Sequence, residues 1–445
     1  MNLSPLAFVL SGSLWLQAAP QVEPLTLAPR GDEPLLKRVD PAESGITFAN
    51  HVAPETVEEF ATLIASGLAA GDVDGDGRSD LYFCRIDGDN VLYRNLGDWK
   101  FEDITAGAGL ACEGRHSIGA TFADTDGDGD LDLITTARGG ETSLWLNDGK
   151  GHFTEDAKFP LKGKVKAGTT PALADVDGDG DLDLYVANYR TESYGDNHLL
   201  DGKDEWLTRN AKAMQTGQAV EADFDAQFFI EKGEVQEHGE ADDFLINQGD
   251  GTFKLAGASV FGAVRQQPGA MEGWGLSAHF SDRDGDGDPD LYVCNDFHTP
   301  DRMWVNAGDG SFNEVGPEVQ RRQSFYAMAV DTADVNGDGK FDFFVADMLS
   351  RDHARRKRQM GAMGGLPPQS DVKAKVPQVM QNTLFVARDD GTYAELAQFA
   401  GVKASEWTWG ALFADLDLDG REDLVTSTGM VHDWMDADSQ KRLNP

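Results

Sequence analysis

Short runs of alternating apolar and polar residues occur along the whole chain, separated by turns rich in Gly and Asp. In one unit this pattern predicts four strands, at Ser117–Ala123, Leu131–Ala137, Ser143–Asn147 and His152–Asp156. The unit returns every 51 or 52 residues, as measured from Asp72 to Asp124 and on to Asp175. Four short strands at so regular a period predict an all-β fold, a β-propeller of four-stranded blades.

An acidic loop, Asp-x-Asp-x-Asp-Gly-x-x-Asp, follows the first predicted strand of each unit and occurs six times. Oxygen ligands at positions 1, 3, 5 and 9, with a main-chain carbonyl at position 7, can surround a hard cation that takes roughly six to eight ligands. The Gly at position 6 allows the chain to fold back around the ion. Imidazole and thiolate ligands are absent from these loops, which disfavours zinc and copper. We therefore predict about six Ca²⁺ sites, one in each loop.

The predicted calcium ligands stand at positions 1, 3, 5, 7 and 9 of the six loops. They are Asp72, Asp74, Asp76, Arg78 and Asp80; Asp124, Asp126, Asp128, Asp130 and Asp132; Asp175, Asp177, Asp179, Asp181 and Asp183; Asp282, Asp284, Asp286, Asp288 and Asp290; Asp334, Asn336, Asp338, Lys340 and Asp342; and Asp415, Asp417, Asp419, Arg421 and Asp423. The residues at position 7 are included for their carbonyls. Asp-Gly pairs also form plain turns, but six copies in register disfavour that alternative.

A second motif follows each of the first five loops. It reads LYRNLGDWKF (92–101), LWLNDGKGHF (144–153), FLINQGDGTF (244–253), MWVNAGDGSF (303–312) and, in degenerate form, LFVARDDGTY (384–393). The interval from the first Asp to the Asn is 23 or 24 residues in units one, two and four, but 72 residues in unit three. In unit five, where Ala387 replaces the Asn, it is 53 residues. Two insertions, 190–243 and 347–376, account for the difference. We predict a helix near Asp204–Ala222 in the acidic first insertion.

The second insertion is basic, with Arg355, Arg356, Lys357 and Arg358 in one run. We interpret this run as a helix docked on the acidic propeller, and an anionic glycan is the alternative partner.

The two motifs together resemble the FG-GAP/VCBS repeats of integrin-α-type propellers. Four segments further resemble the bacterial relatives of cartilage acidic protein, which often carry an ASPIC/UnbV module: VDPAESGITF (39–48), YVCNDFHTPDRMWVN (292–306), ADMLSRDHARRK (346–357) and SEWTWGALFADLDLDG (405–420). The resemblance implies an extracellular, calcium-binding propeller of seven blades without well-established enzymatic activity. Six calcium-loop blades are visible in this chain. We expect the N-terminal LKRVDPAESGITF (36–48), which resembles FEDITAGAGL (101–110), to supply a strand that closes the ring.

The N-terminal part of the chain predicts export. The apolar stretch Leu6–Ala19 is too short to span a bilayer and suits the centre of a signal peptide. We predict a signal peptide at 1–19, a flexible lead-in at 20–34, the propeller at 35–436 with its two insertions, and a C-terminal tail at 437–445. The expected location is secreted, periplasmic or cell-surface, with no transmembrane segment. The formal charge of −39 argues against nucleic acid as a partner.

Propeller topology assigns the loops to two faces. The Asp loops share one face with the turns of the second motif, and the insertions share the other face with the connections between blades. We call this second face the insertion face. It collects Arg115, His116, Tyr189, Arg190, Trp274, His298, Trp407, Trp409 and His432. Such a rim suits a saccharide, although we expect the tryptophans to pack between blades.

The leading hypothesis is an exported calcium-binding propeller that acts as a binding or adhesion module for a glycan or an extracellular protein. The alternative is a carbohydrate-active enzyme of the polysaccharide lyase type. Its base and charge-neutralising group would come from Arg115, His116, Tyr189, Arg190 and His298. A third hypothesis is a structural part of a longer surface protein. The residues favour binding over catalysis, because no nucleophile elbow, phosphate loop or metalloprotease motif occurs.

Overall fold

The structure is a computed structural model that describes residues 36–50, 67–191, 228–231, 234–237, 239–257, 260–261, 273–297, 299–362 and 376–429. Strands hold 41% of the residues and helices 6%, so the fold is all-β as predicted. The predicted signal peptide, the lead-in, the helix near Asp204–Ala222, His298, His432 and the C-terminal tail lie outside the described residues. None of the helices in the described ranges has the length and apolar character needed to cross a lipid bilayer.

The strands fall into six consecutive units, which we call blades. They are β1 (Leu68–Gly71), β2 (Asp80–Phe83), β3 (Val91–Gly97) and β4 (Lys100–Asp103) in blade 1; β5 (Ser117–Ala123), β6 (Asp132–Gly140), β7 (Ser143–Asn147) and β8 (Phe153–Glu155) in blade 2; β9 (Lys166–Ala174), β10 (Asp183–Asn188), β13 (Asp243–Asn247) and β14 (Phe253–Leu255) in blade 3; β15 (Gly275–Ser281), β16 (Asp290–Asn295), β17 (Arg302–Asn306) and β18 (Phe312–Glu314) in blade 4; β20 (Ala329–Ala333), β21 (Asp342–Ala346), β23 (Thr383–Ala387) and β24 (Tyr393–Glu395) in blade 5; and β25 (Thr408–Ala414) and β26 (Asp423–Thr428) in blade 6. Neighbouring strands within each blade are antiparallel.

The remaining elements lie in the insertions and connections. They are the hairpin β11 (Phe228–Glu231) and β12 (Glu234–Glu237), the parallel pair β19 (Gln323–Ser324) and β22 (Gln378–Val379), and the helices α1 (Pro41–Ser44), α2 (Thr105–Ala108), α3 (His353–Ala362) and α4 (Ala397–Ala400). Helix α3 carries the predicted basic run, and the Arg355 guanidinium lies 3.6 Å from the Glu406 carboxylate of the next blade. The helix predicted for the second insertion is therefore confirmed.

The core lies between blades, because the inner strands bury both of their faces. In β10, Leu184 and Val186 pack toward blade 2, while Tyr185 and Ala187 pack toward blade 4. A separate apolar cluster fills each of the five spaces between consecutive blades. Strands buried on both faces need continuous apolar runs, and this explains LYVAN and LYVCN after the third and fourth Asp loops.

The first strands of successive blades lie side by side, which arranges the blades around a common axis. The amide of Gly67, just before β1, donates to the carbonyl of Ile118 in β5 at 2.6 Å. The hydroxyl of Thr169 in β9 donates to the carbonyl of Gly275 in β15 at 2.9 Å. Farther along, the amide of Phe413 in β25 donates to the carboxylate of Asp331 in β20 at 2.6 Å. This order is that of a propeller.

Residues 36–50 contain the turn of helix α1 and no strand, so the strand expected here is not present among them. The segment nevertheless repeats the structure that follows β4. Helix α1 ends at Gly45 and α2 ends at Gly109, both with φ of 79°. Gly45 lies against the carbonyl of Phe101 in β4, just as Gly109 lies against that of Phe153 in β8. Helix α1 therefore packs against blade 1 in the way that helix α2, at the end of blade 1, packs against blade 2.

In each of four blades, a polar side chain immediately before the third strand binds the end of the second strand at the insertion face. Its oxygen accepts the amide at the end of the second strand. The pairs are Asn90 with Arg85, Asp242 with Asn188, Asp301 with Asn295 and Asn382 with Asp347, at 2.7–2.9 Å. In blade 1 the Asn90 amide donates to the Tyr82 hydroxyl, whereas in blade 3 the Tyr185 hydroxyl donates to Asp242. Either Asn or Asp can stand at this position, because the tyrosine hydroxyl can accept a hydrogen bond from Asn or donate one to Asp.

Replacing Asp242 by Asn tests this equivalence. Burial raises the pKa of Asp242 to about 6, above its unfolded value. The neutral carboxyl therefore stabilises the fold at low pH, and this contribution is lost as the pH rises from about 4 to about 6. Asp242→Asn should raise the free energy of unfolding by about 2 kcal/mol at pH 8 and by much less at pH 4.5. Urea unfolding at both pH values measures the difference. The exposed Glu113→Gln is the matched control, and an Asp242→Asn effect that does not depend on pH would contradict the account.

Candidate metal centre

Each Asp loop folds around the carboxylate at its first position. In the third loop, Oδ1 of Asp175 accepts the amides of Gly178 and Asp179 at 2.8 and 3.1 Å, and Oδ2 accepts that of Gly180 at 2.9 Å. Gly180 stands at position 6 with φ of 97°, a left-handed conformation that favours glycine. The loop backbone is thus held in a tight curve by its own first carboxylate, in the form that the motif predicts.

The carboxylate at position 9 joins the loop to the rest of its blade. One oxygen accepts the amide of position 2, and in blades 1 to 5 the other accepts an amide of the third strand, at 2.7–3.2 Å. The residues at position 9 of these five loops are Asp80, Asp132, Asp183, Asp290 and Asp342. Burial raises the pKa of Asp183 and of Asp290 to about 6. Position 9 is therefore a structural residue, whether or not it also binds a metal.

The carboxylates of five loops converge. In each, three ligand oxygens lie within 4.8 Å of one another: Asp72, Asp74 and Asp80; Asp124, Asp126 and Asp128; Asp175, Asp177 and Asp183; Asp282, Asp284 and Asp290; and Asp415, Asp417 and Asp419. The fifth loop has Asn336 at position 3 and contributes no such carboxylate triplet. Here the Asn336 amide instead donates to Asp338 at 3.2 Å. The position 7 carbonyls remain a prediction.

The third position of the loop carries the strongest sign of an incomplete ligand shell. Oδ1 of Asp74 and Oδ1 of Asp177 are buried and have no hydrogen-bond partner. Burial, reinforced by the neighbouring carboxylates, raises the pKa of Asp177 and of Asp284. A buried carboxylate oxygen without a partner is costly. A bound cation would satisfy it, and oxygen-only ligand sets suit Ca²⁺, so the residues fit that ion.

In blades 2, 3 and 4 the Asn of the second motif connects its own blade to the Asp loop of the preceding blade. The side-chain amides of Asn147, Asn247 and Asn306 donate to the position 2 carbonyls of Val73, Thr125 and Val176, respectively, at 2.8–2.9 Å. In blade 5 Ala387 replaces the Asn, and the Tyr393 hydroxyl donates to the equivalent carbonyl of Arg283 at 3.3 Å. The sequence reveals the recurrence of this Asn but not its partner, because the partner belongs to another blade.

The turns of the second motif lie against the Asp loops, which confirms that the two motifs share a face. A side chain on Gly251 or Gly310 would meet Asp126 or Asp177, the position 3 residues of the preceding blade. Glycine is needed at these turns because the Cβ atom of the Asp in the neighbouring loop approaches closely.

The insertion face brings together only part of the set predicted for it. Tyr189, Trp274 and Trp407 are buried in one apolar cluster, with Trp409 packed against it. The Tyr189 hydroxyl donates to the buried carboxylate of Asp296 at 2.9 Å. The expectation that the tryptophans pack between blades is therefore confirmed.

Arg115 and His116 have structural contacts of their own. The Arg115 guanidinium forms two hydrogen bonds with the Glu155 carboxylate, at 2.8 and 2.9 Å, and lies 5.0 Å from the Trp145 ring. Nδ1 of His116 lies 2.7 Å from the Ile86 carbonyl. Arg190 lies over the Trp274 ring at 5.5 Å. The four residues of the enzymatic alternative that the structure describes, Arg115, His116, Tyr189 and Arg190, are thus engaged in packing and pairing.

Comparison with known proteins supports the repeat. A family model described as an FG-GAP-like repeat matches residues 72–135, 124–186 and 282–345. Cartilage acidic protein 1 of Homo sapiens is 30% identical over 139 residues, which are 30% of this chain and 21% of that protein. The Xenopus tropicalis protein is 28% identical over 163 residues, 35% of this chain and 25% of that protein. The matched parts thus span about a quarter or less of these relatives. The chain carries FG-GAP-like repeats and resembles cartilage acidic protein 1.

Two solved structures are also similar. One is an Agrocybe aegerita lectin that recognises non-reducing terminal N-acetylglucosamine, with a TM-score of 0.35, 15% identity, and coverage of 84% of this chain and 86% of that chain. The other is the V. cholerae biofilm matrix protein Bap1, with a TM-score of 0.34, 14% identity, and coverage of 78% and 40%.

Two substitutions in the third loop separate metal binding from folding. Asp177→Asn removes a negative charge from the ligand set and leaves one ligand oxygen, as Asn336 does in the fifth loop. Calcium binding should therefore weaken, and the melting temperature should fall in excess calcium but not in excess EDTA. Asp183→Asn places an amide group against a backbone amide, so it should lower stability by about 1–3 kcal/mol in both conditions. Thermal unfolding with calcium and with EDTA measures both effects. The exposed Asp250→Asn is the control, and an equal loss from Asp177→Asn in EDTA would contradict the assignment.

Proposed function

We propose that this chain is an exported, calcium-binding β-propeller that serves as a binding or adhesion module for glycans or extracellular proteins. The observation that carries the proposal is the difference between its two faces. One face repeats the Asp loop from blade to blade. It also repeats the Asn of the second motif, which binds the Asp loop of the preceding blade and which we call the clamping Asn. The opposite face carries the two insertions and the connections between blades. Binding sites tend to lie on variable loops held by a rigid scaffold.

Calcium is the ion that the loops favour. The converging ligands are carboxylate oxygens, and Ca²⁺ accepts a variable number of such ligands in irregular geometry. Six divalent ions would reduce the formal charge from −39 to −27 and relieve repulsion within each cluster. The calcium affinities of extracellular modules, about 0.1–1 mM, would suffice outside a cell. Export also agrees with the apolar N-terminal stretch, which lies outside the described residues.

A binding role is favoured over the lyase alternative. Catalysis would need a base and a positive group that converge on open space. Instead, Arg115 is paired with Glu155, and the Tyr189 hydroxyl donates to a buried carboxylate. No observation in the described part of the chain brings these residues together at one open site.

A ligand screen tests the proposal. Calcium-loaded protein is passed over immobilised polysaccharides and extracellular matrix proteins, and both retention and release of unsaturated products are measured. We expect retention on at least one ligand without product release. Retention should disappear in EDTA and return when calcium is restored, because the ions stabilise the loops that position the blades.

The same screen can overturn the proposal. Product release that is abolished by His116→Ala would favour the lyase. Failure of every ligand to retain a protein that still melts at the calcium-loaded temperature would point to a structural role. The Asp177→Asn protein is the matched variant, because its calcium-dependent retention should require a higher calcium concentration than that of the wild type.

A further inference from the structure

A cavity of about 320 Å³ opens between blades 4 and 5 at the insertion face. It lies beside the start of β17 and the connection from β18 to β19, where the end of the second insertion also contributes. Its polar lining consists of Asp301, Glu314, Gln320 and Gln323. We call this cavity the Gln323 pocket.

Gln323 is the residue that marks the pocket as a ligand site. Its side chain is only 5% exposed. Its Nε2 donates to the Asp301 carbonyl at 2.8 Å and to Oε1 of Gln320 at 3.2 Å. Its Oε1 is buried without a hydrogen-bond partner. A buried carbonyl oxygen left unpaired costs stability. Because Gln323 is one of the residues that line the pocket, we take this oxygen as the acceptor for a hydrogen-bond donor bound there.

The orientation of this amide is fixed by its neighbours. Exchanging the Oε1 and Nε2 atoms of Gln323 would place an oxygen against the Asp301 carbonyl and against Oε1 of Gln320, and both of these groups only accept hydrogen bonds. Gln320 is itself oriented, because its Nε2 donates to the Tyr292 hydroxyl at 2.9 Å. That hydroxyl in turn donates to Asp301 at 2.8 Å. The network therefore leaves an acceptor, and not a donor, of Gln323 without a partner.

The ionisable residues of the lining are acidic. They are Asp301 and Glu314, and no Lys, Arg or His is among the described residues that line the pocket. Burial raises the pKa of Asp301 to about 8; a positive group bound beside it would lower that pKa and favour the ionised carboxylate. The whole chain carries a formal charge of −39, which attracts cations to the surface.

The remaining walls of the pocket are apolar. Met303, Val315, Pro317 and Val376 contribute to them. A ligand that fits such walls carries methylene groups, and its polar end presents several hydrogen-bond donors. An aliphatic ammonium group meets both conditions, because lysine side chains bury their stems against apolar surface and keep the charged end among acceptors.

We propose that the Gln323 pocket binds an alkylammonium group, such as the lysine side chain of a protein partner. This inference rests on the proposed binding function and specifies the chemistry of a protein ligand. Oε1 of Gln323 and the carboxylates of Asp301 and Glu314 accept the ammonium protons, while the apolar walls contact the methylene chain. Partners with exposed lysines would dock at the boundary between blades 4 and 5.

The test uses the calcium-loaded full chain and n-butylammonium as the probe, with n-butanol as its uncharged counterpart. Isothermal titration calorimetry at physiological ionic strength should detect n-butylammonium and not n-butanol. Glu314→Gln, at an exposed position, should weaken binding about five-fold, and Gln323→Leu should weaken it about ten-fold. Glu318→Gln removes an exposed carboxylate from the same connection but not from the pocket, so it should leave binding unchanged.

Several outcomes would overturn the proposal. Equal binding of n-butanol would show a merely apolar cavity. Equal losses from Glu314→Gln and Glu318→Gln would show diffuse attraction to an acidic protein. Binding of methyl glucoside that is lost in Gln323→Leu, with n-butylammonium unaffected, would assign the pocket to a saccharide. Thermal unfolding establishes that each variant is folded. Because the probe is a small amine, failure here leaves retention in the ligand screen as a separate result.

Discussion

The ninth carboxylate of the Asp loop is the group on which the architecture depends. In blade 3 the two oxygens of Asp183 hold the amide of Val176 in the loop and that of Asn247 in the third strand. The Asn247 side chain then reaches the Thr125 carbonyl in the loop of blade 2. One buried side chain thus fixes the loop to its own blade and positions the residue that binds the blade to its neighbour. Repeated along the chain, this arrangement sets the spacing between blades.

The same arrangement links the metal site to the packing between blades. Position 2, whose carbonyl receives the clamping Asn, lies between the carboxylates of positions 1 and 3. A cation that draws these carboxylates together would therefore also fix the carbonyl used by the next blade. Without a cation, repulsion among the clustered carboxylates acts on the same short segment. Ion binding and blade packing are thus coupled through one or two residues in each loop, and the stabilisation should extend beyond the loop that binds the ion.

The sequence predicted the features that depend on residues near one another in the chain. The strands of blade 2 and the curve of the Asp loops follow from local alternation and from glycine spacing. The features that were not predicted depend on residues brought together by folding. Arg283 stands where other loops have Val73 or Val176, and its buried guanidinium lies 4.6 Å from the Phe343 ring of the next blade. Nothing in the local sequence distinguishes it from an exposed arginine. The Gln323 pocket likewise arises from blade 4, the connection that follows it and the end of an insertion.

Blade 5 indicates how the two faces can differ without loss of the contact between neighbouring blades. It lacks the clamping Asn, yet the Tyr393 hydroxyl reaches the same carbonyl of Arg283 from the fourth strand. The Tyr393 amide also donates to the Val319 carbonyl in the connection that borders the pocket, at 3.0 Å. One residue thus joins the repeated face to the variable face between blades 4 and 5. A ligand that displaces this connection would also move Tyr393, whose hydroxyl contacts the fourth Asp loop. The boundary between blades 4 and 5 is therefore the place where ligand binding on one face could change the calcium affinity of a loop on the other.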